Sequence, residues 1–441
     1  MPMLGTRGAA SARGFGFGGG VSEKFYLGLY DLNSQSSDVV VGSYCKSIVS
    51  DASGNVYQVY RRSSPSGFCI VKMSPSGETL FFKQYEDPAG GSVDSVNILI
   101  NSAGTNLYVV TKTNTYFYVL KLNSSGALIS QYQNGTADMN ATAALLASDE
   151  SAIYIGSRRS GFNGFYVLKY NLSTNQIDWA NQWENSSNFG QVQYMSESAG
   201  EIYTFGIAGV YSLIQRFSSS GTLIYSRVIG SSNWSPGGMW VGGGVIYLGV
   251  VSNNWAYLLR YGVGTTDPVG NIGRQITSGF VDVKNVLVDS AFQNVYWVGG
   301  DGSTKSAWIK TDTGISTGAP LVNREFTLTR LGQTKYFYQR DLALTPTGLA
   351  MSAQYQDYGL SYLNIGGGPN KVPVDGTKTG SYSVGSFTVN YSAPGSSYNI
   401  TNIGAQSTSS LGGNNARTLS QPTSYNNWTV TNVSGLSVTS I

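Results

Sequence analysis

The chain repeats itself. The string FYVLKLNSSGALI at residues 117–129 returns as FYVLKYNLSTNQI at 165–177, and looser copies begin at Phe68 (FCIVKMSPSGETL), Tyr211 (YSLIQRFSSSGTLI), Ala256 (AYLLRYGVGTTDPV) and Ala307 (AWIKTDTGISTG). Weaker versions flank the set, FYLGLYDLNSQ from Phe25 and LSYLNIGGG from Leu360. Upstream of each strong copy lies an apolar or polar residue pair closed by tyrosine, at Tyr57, Tyr108, Tyr154, Tyr203, Tyr247 and Tyr296, with TGLAM near Leu349 in seventh place. The tyrosines recur every 44 to 51 residues, a period that suits a four-stranded unit stacked against copies of itself.

One unit shows the internal order. Residues 96–100 (VNILI), 107–112 (LYVVTK), 116–122 (YFYVLKL) and 127–133 (ALISQYQ) read as four short strands, with NSAGTN and NSSG as tight turns. Alternating apolar residues with Gly, Asn and Ser at the connections are hairpin signals, and radial repetition leaves few open sheet edges. The expected fold is all-β, a seven-bladed β-propeller over residues 21–365, with an extended N-terminal arm and a small β-rich C-terminal segment. There are seven first-and-second-strand pairs but eight copies of the third-strand string, so eight blades is the alternative to seven. The surplus predicts that residues 25–30, followed by VVVG at 39–42, dock beside the last unit and close the ring. The recurrent Lys72, Lys121 and Lys169, replaced by Arg216 and Arg260, read as basic side chains on the solvated side of a strand, where they blunt edge pairing.

Composition narrows the chemistry. Gly (56) and Tyr (30) are abundant and only 12% of residues are charged, which suits many short strands and tight turns. The absence of histidine removes the usual general base and every imidazole-containing triad or metal site. We therefore expect no enzyme, no catalytic residue, no cofactor and no metal. GVGTTDPVGNIG is glycine-rich but lacks the strand-to-helix setting of a phosphate loop, and a net charge of +3 gives no footprint for nucleic acid. No apolar run is long enough to span a membrane, and the glycine-broken start has no apolar core of a signal peptide. Cys45 and Cys69 fall on the first and third strands of one blade, too far apart to pair, so two free thiols are expected.

Three regions follow: an N-terminal docking arm at 1–20, the propeller at 21–365, and a Ser/Thr/Asn-rich β segment at 366–441 whose few charges favour packing against another surface. In the arm, Phe15 and Phe17 are candidates to fill apolar pockets of a neighbour and Arg7 and Arg13 to meet its acidic groups. Arg61, Arg62, Arg158 and Arg159 fall between second and third strands, on one rim with Lys112, Asn253, Asn254, Trp255, Asp301 and Lys305. Propeller rims carry recognition because loops vary on a rigid frame, so this rim is the expected partner surface.

The segment NKVPVDGTKTGSYSVGSFTVNYSA (370–393) carries Lys371, Val372, Pro373, Asp375, Gly376, Thr377, Thr379, Gly380 and Tyr382. In that pattern it resembles the junction that follows the propeller in structural proteins of marine tailed bacteriophages. The opening LGTRGAASARGFGFGGG resembles a leader carried by several virion proteins of such phages. The resemblance implies a virion component, of the tail or its appendages, assembled in the host cytoplasm. It also implies that other virion proteins are its partners through the arm and the C-terminal segment. A host-surface glycan binder, or a glycan hydrolase using paired carboxylates, is the alternative.

Overall fold

Alternation and turn chemistry build a ring of antiparallel sheets. The computed structural model describes residues 25–31; 46–394 apart from 64–65, 87–92, 114–115, 135–138, 160–163, 185–188, 231–232, 265–268, 278–281, 302–303, 331, 347, 358–363 and 385–386; and then 399–402, 408–410, 414–416, 423–424, 429–432 and 436–440, with backbone only from 402 onward. Every regular element among the described residues is a strand. Four consecutive strands pair in order in each of six units, residues 48–86, 95–134, 139–184, 190–229, 235–277 and 282–330. The seventh takes three strands from Gln333–Leu344, Gly348–Asp357 and Asn364–Pro373. Its fourth is Tyr26–Asp31 from the other end of the chain, in register Tyr26 to Lys371 and Asp31 to Gly366. These are the seven blades of a β-propeller, closed by the N-terminal strand as the surplus string predicts.

Two details differ from the reading of the sequence. The string at Phe25 resembles a third strand but occupies the fourth, outer position. An apolar alternation serves any half-buried strand, and the partner decides its place in the sheet. The third strand of blade 7 runs on to Pro373 with Lys371 and Val372 fully buried, so the ring extends beyond residue 365. Residues 39–42 and Cys45 lie outside the described residues, while Cys69 is a buried free thiol on the third strand of blade 1.

The core lies between blades, where neighbouring sheets press apolar faces together. Val49, Tyr57, Val59, Phe68 and Ile70 of blade 1 meet Val96, Ile98, Val109 and Leu120 of blade 2 in one such layer. Each fully buried aliphatic or aromatic side chain contributes about 1.5–3 kcal/mol. The stacking passes from blade to blade around the ring.

The two sequence markers prove to be cross-strand partners. Tyr57 stands opposite Lys72, Tyr108 opposite Lys121, Tyr154 opposite Lys169, Tyr203 opposite Arg216, Tyr247 opposite Arg260 and Tyr296 opposite Lys310. In blade 1 the ammonium lies 4.9 Å from the Tyr57 ring centroid, and in blade 4 the Arg216 guanidinium lies 5.6 Å from that of Tyr203. The recurrent cation is therefore not simply a solvated edge charge. In blades 1, 4 and 6 it covers the aromatic face of its partner, a pairing worth about 0.5–1 kcal/mol where exposed and more where water is excluded. Lys72 also donates to the Ser124 carbonyl of the next blade at 3.1 Å.

The C-terminal segment makes a second circuit of the ring, in the opposite order. Phe387–Ser392 pairs with the outer strand of blade 6, and Asn399–Asn402 with that of blade 5. Thr408–Ser410 then joins blade 4, Asn414–Ala416 blade 3, Thr423–Ser424 blade 2 and Thr429–Asn432 blade 1. Leu436–Ser440 ends on Tyr26–Tyr30 of blade 7. Each blade thus gains a fifth strand. The charge-poor segment's surface, sought on a partner from sequence, is first of all its own ring.

The junction that follows Pro373 is the corner where this reversal begins. Asp375 accepts hydrogen bonds from Thr377 N at 3.0 Å and Thr377 Oγ1 at 2.8 Å, fixing a turn in which Gly376 has φ 72°. Arg324 of blade 6 donates to the Gly376 carbonyl, and Tyr382 Oη to that of Lys378 at 2.6 Å. Asp, Gly and Tyr at this spacing turn the chain from the third strand of blade 7 to the perimeter of blade 6.

Candidate functional site

The inner strands surround the central channel, where Ile98 N of blade 2 donates to the Lys46 carbonyl of blade 1 at 2.8 Å and a single bridge links Arg158 of blade 3 to Gln191 of blade 4. Short polar side chains supply further joints. Asn97 of blade 2 accepts from Lys46 N at 2.8 Å and donates to the Ala141 carbonyl of blade 3 at 3.0 Å. Thr142 Oγ1 donates to the Val192 carbonyl of blade 4, and Val241 N of blade 5 donates to Ser196 Oγ of blade 4 at 3.1 Å. Blade 5 approaches blade 6 through Gly237 and Gly238, where an added Cβ would stand 2.5 Å from the Val283 carbonyl oxygen and 2.7 Å from Val286 N. Asn285 Nδ2 of blade 6 donates to Asp341 Oδ1 of blade 7.

Asp341 then joins blade 7 to blade 1. Its Oδ1 accepts from Lys46 Nζ at 3.1 Å, Leu342 N at 2.8 Å and Asn285 Nδ2, while Oδ2 accepts from Ser47 N at 2.8 Å and Ile48 N at 3.2 Å. The carboxylate is almost fully buried. Five donors saturate it, as a buried charge requires.

β-Bulges shape the channel wall. The registers of the inner strands slip between Ala141 and Ala143, Val192 and Tyr194, Pro236 and Gly238, Val283 and Asn285, and Gln339 and Asp341. The skipped residues are Thr142, Gln193, Gly237, Lys284 and Arg340. A bulge re-aims its side chain, and Gln193, Lys284 and Arg340 line a cavity of about 50 Å³ in the channel together with Lys46 and Asp341. Tyr194 Oη reaches across from blade 4 to the Lys284 carbonyl of blade 6 at 3.1 Å.

The candidate rim divides into committed and presented groups. Arg158 is exposed, with its guanidinium 4.5 Å from the centroid of the exposed Phe189 ring. Arg159, one residue on, is only 8% exposed and pairs with Glu184 at 2.9 Å. Arg62 donates to Gln84 Oε1, and Arg61 is half-buried opposite Phe68. Lys112 is buried with Asp94 3.5 Å away, and Lys305 pairs with Glu325 at 3.4 Å. Alternation along a strand turns one of two adjacent arginines inward. Trp255 is 39% exposed and follows Asn253 and Asn254, whose φ values of 49° and 62° fit a two-residue hairpin turn. Val210 and Tyr211, in the corresponding turn of blade 4, are exposed too. The rim over blades 3 to 5 therefore presents Arg158, Phe189, Tyr211 and Trp255. Arg7, Arg13, Phe15 and Phe17 lie outside the described residues.

The sequence pointed to the rim and missed the channel. Lys284, Arg340 and Gln193 belong to no repeat and sit on strands whose bulges a single sequence does not reveal.

Fold and channel together define a β-propeller whose perimeter is sealed by its own C-terminal strands. No protein-family model matches the sequence, and no curated protein matches it. Among solved structures, the chain is similar to the Dos1 propeller (TM-score 0.44, 11% identity, 83% of this chain and 96% of that one). It is also similar to a chain of the mitotic checkpoint complex (TM-score 0.48, 11% identity, 83% and 98%) and to the polysaccharide lyase Uly1 (TM-score 0.44, 8% identity, 79% and 99%). These likenesses concern overall shape and carry no residue of function to this chain.

Proposed function

We propose that this chain is a non-catalytic structural propeller of a tailed bacteriophage particle, a tail or tail-appendage component that offers its loop-bearing face to other proteins. The observation that supports this reading best is the sealed perimeter. An outer blade strand with free N–H and C=O groups is a template for unwanted pairing, which becomes acute where many copies are held close together. Here each of the seven fourth strands is covered by a fifth strand of the same chain, and the edge that remains is only two to six residues long, too short to be a good template. A ring so finished suits dense assembly, with contacts reserved for its faces, its N-terminal arm and whatever the C-terminal strands show outward. The leader and the turn at 371–382 add the resemblance to virion proteins, and with it assembly in the host cytoplasm.

A host-surface glycan binder is the second reading. Exposed Trp255, Tyr211 and Phe189 beside Arg158 favour it, since aromatic faces and a cation suit sugar rings and their acidic substituents. A hydrolase has less support. The only carboxylate lining the described channel cavity, Asp341, is saturated by five donors and has no second acid beside it for paired-carboxylate chemistry.

Sedimentation decides between particle and free protein. Antibody against the propeller should find the chain in the particle band of a density gradient of infected-cell lysate, at a fixed ratio to the major capsid protein. Recovery in the soluble fractions alone would sink the virion reading.

A further inference from the structure

The channel cavity has features that the joining of blades does not explain. Lys46, Lys284 and Arg340, from blades 1, 6 and 7, all line it. The one lining carboxylate, Asp341, has both oxygens filled by protein donors. Lys284 has a partner in Asp282 at 2.7 Å, Arg340 Nε donates to Gln354 Oε1 at 2.9 Å, and Lys46 Nζ spends two hydrogens on Asp341 and the Leu342 carbonyl. Three cations thus line the cavity, and Asp341 is the one carboxylate among its lining residues. An ammonium has three donors, so Lys46 keeps one beyond its two protein bonds.

Gln193 is the second and independent observation. Its side chain is 2% exposed, it lines the same cavity from blade 4, and its Oε1 has no hydrogen-bond partner. A buried amide oxygen left unpaired costs about 1–3 kcal/mol. The bulge that aims it inward is one of the three that also aim Lys284 and Arg340. Met195, Met239 and Leu287 complete the wall and keep the local dielectric low.

We propose that this cavity binds a single oxyanion group, a carboxylate or phosphate, that also carries a hydroxyl or protonated oxygen. The negative oxygens lie toward Lys46, Lys284 and Arg340, and the hydroxyl donates to Gln193 Oε1. About 50 Å³ accommodates several waters or one such head group, so a larger ligand would enter by its charged end. The proposal stands apart from the virion reading and holds whether the protein is a particle component or a free glycan binder.

Isothermal titration on the full chain, in low-chloride buffer at pH 7, tests it with three probes: inorganic phosphate, sodium glucuronate and glucose. Phosphate or glucuronate should bind with one-to-one stoichiometry and glucose should not. Binding of glucuronate alone identifies an acidic sugar as the natural source, and binding of phosphate alone a phosphorylated or free phosphate ligand. Lys284→Met should weaken the anion about tenfold by removing a charge-assisted bond. Gln193→Leu should weaken it several-fold while improving thermal stability, because it removes the unpaired acceptor. Lys83→Ala, on the outer strand of blade 1, should leave it unchanged. No binding of either anion below about 10 mM, or wild-type affinity in a folded Gln193→Leu protein, would overturn the proposal.

Discussion

Replacing Asp341 with asparagine is the sharpest test of how the ring is closed. The change keeps the shape and removes the charge. It leaves the Lys46 ammonium without its counter-ion and turns an NH2 group toward at least one of the N–H donors that the carboxylate now accepts, among them Ser47 N, Ile48 N and Asn285 Nδ2. Breaking a buried ion pair by removing one partner costs about 3–5 kcal/mol. For a ring of roughly 350 residues, an unfolding entropy near 2.1 cal/mol/K per residue converts that into a fall in Tm of about 4–7 °C. Lys46→Met should cost less, about 1–2 kcal/mol, because Asp341 retains four N–H donors and needs no counter-ion to remain paired. Calorimetry and urea titration at pH 7 measure both. The carboxylate is not the hub of the closure if Asp341→Asn stays within about 1 kcal/mol of the wild type, or if Lys46→Met proves the more damaging change.

Four further outcomes are expected. A chain ending at residue 394 loses the fifth strand of every blade but the sixth; light scattering should then show concentration-dependent association through the bared edges, and a monomer at high concentration would contradict the edge argument. Burial pushes the Cys69 thiol up to about 12, so in a Cys45→Ser chain a chromogenic thiol reagent at pH 8 should find no reactive thiol in the native ring and one once urea unfolds the chain; prompt native reaction would refute its burial. Burial of Glu197 raises its pKa above the ordinary carboxylate value, against the opposing hydrogen bonds from Ser148. The folded state therefore favours the protonated acid, and that favourable contribution is present at low pH and lost as pH rises through the folded pKa. Glu197→Gln should accordingly gain stability relative to wild type between pH 4 and 7, and a difference that is flat with pH would count against this sign. Deleting residues 2–20 should leave a folded propeller that no longer enters particles, and normal incorporation would shift attachment to another surface.

Much of the ring was legible because each blade restates one local rule. The Tyr–Lys pairing is an example: Tyr57 and Lys72 lie 15 residues apart in every reading of the chain, yet only the cross-strand register shows that they touch. The rim was legible as a location, since turns between second and third strands all emerge on one side. It was not legible that Arg159 and Lys112 point inward while Arg158 points out, because a one-residue shift reverses the face of a strand.

By itself the sequence determined the repeat and the four-stranded unit, which follow from local periodicity and turn residues, and it led to the expectation of seven blades with the N-terminal strand closing the last. Only the tertiary structure decided the rest. That Asp341 meets Ser47, nearly three hundred residues away, that bulges gather Lys284, Arg340 and Gln193 in one channel, and that weakly patterned stretches such as Thr408–Ser410 and Thr423–Ser424 find an outer edge are properties of ring closure. A two- or three-residue strand has no pattern strong enough to declare itself. It becomes a strand because a finished blade offers it an unpaired row of backbone donors and acceptors.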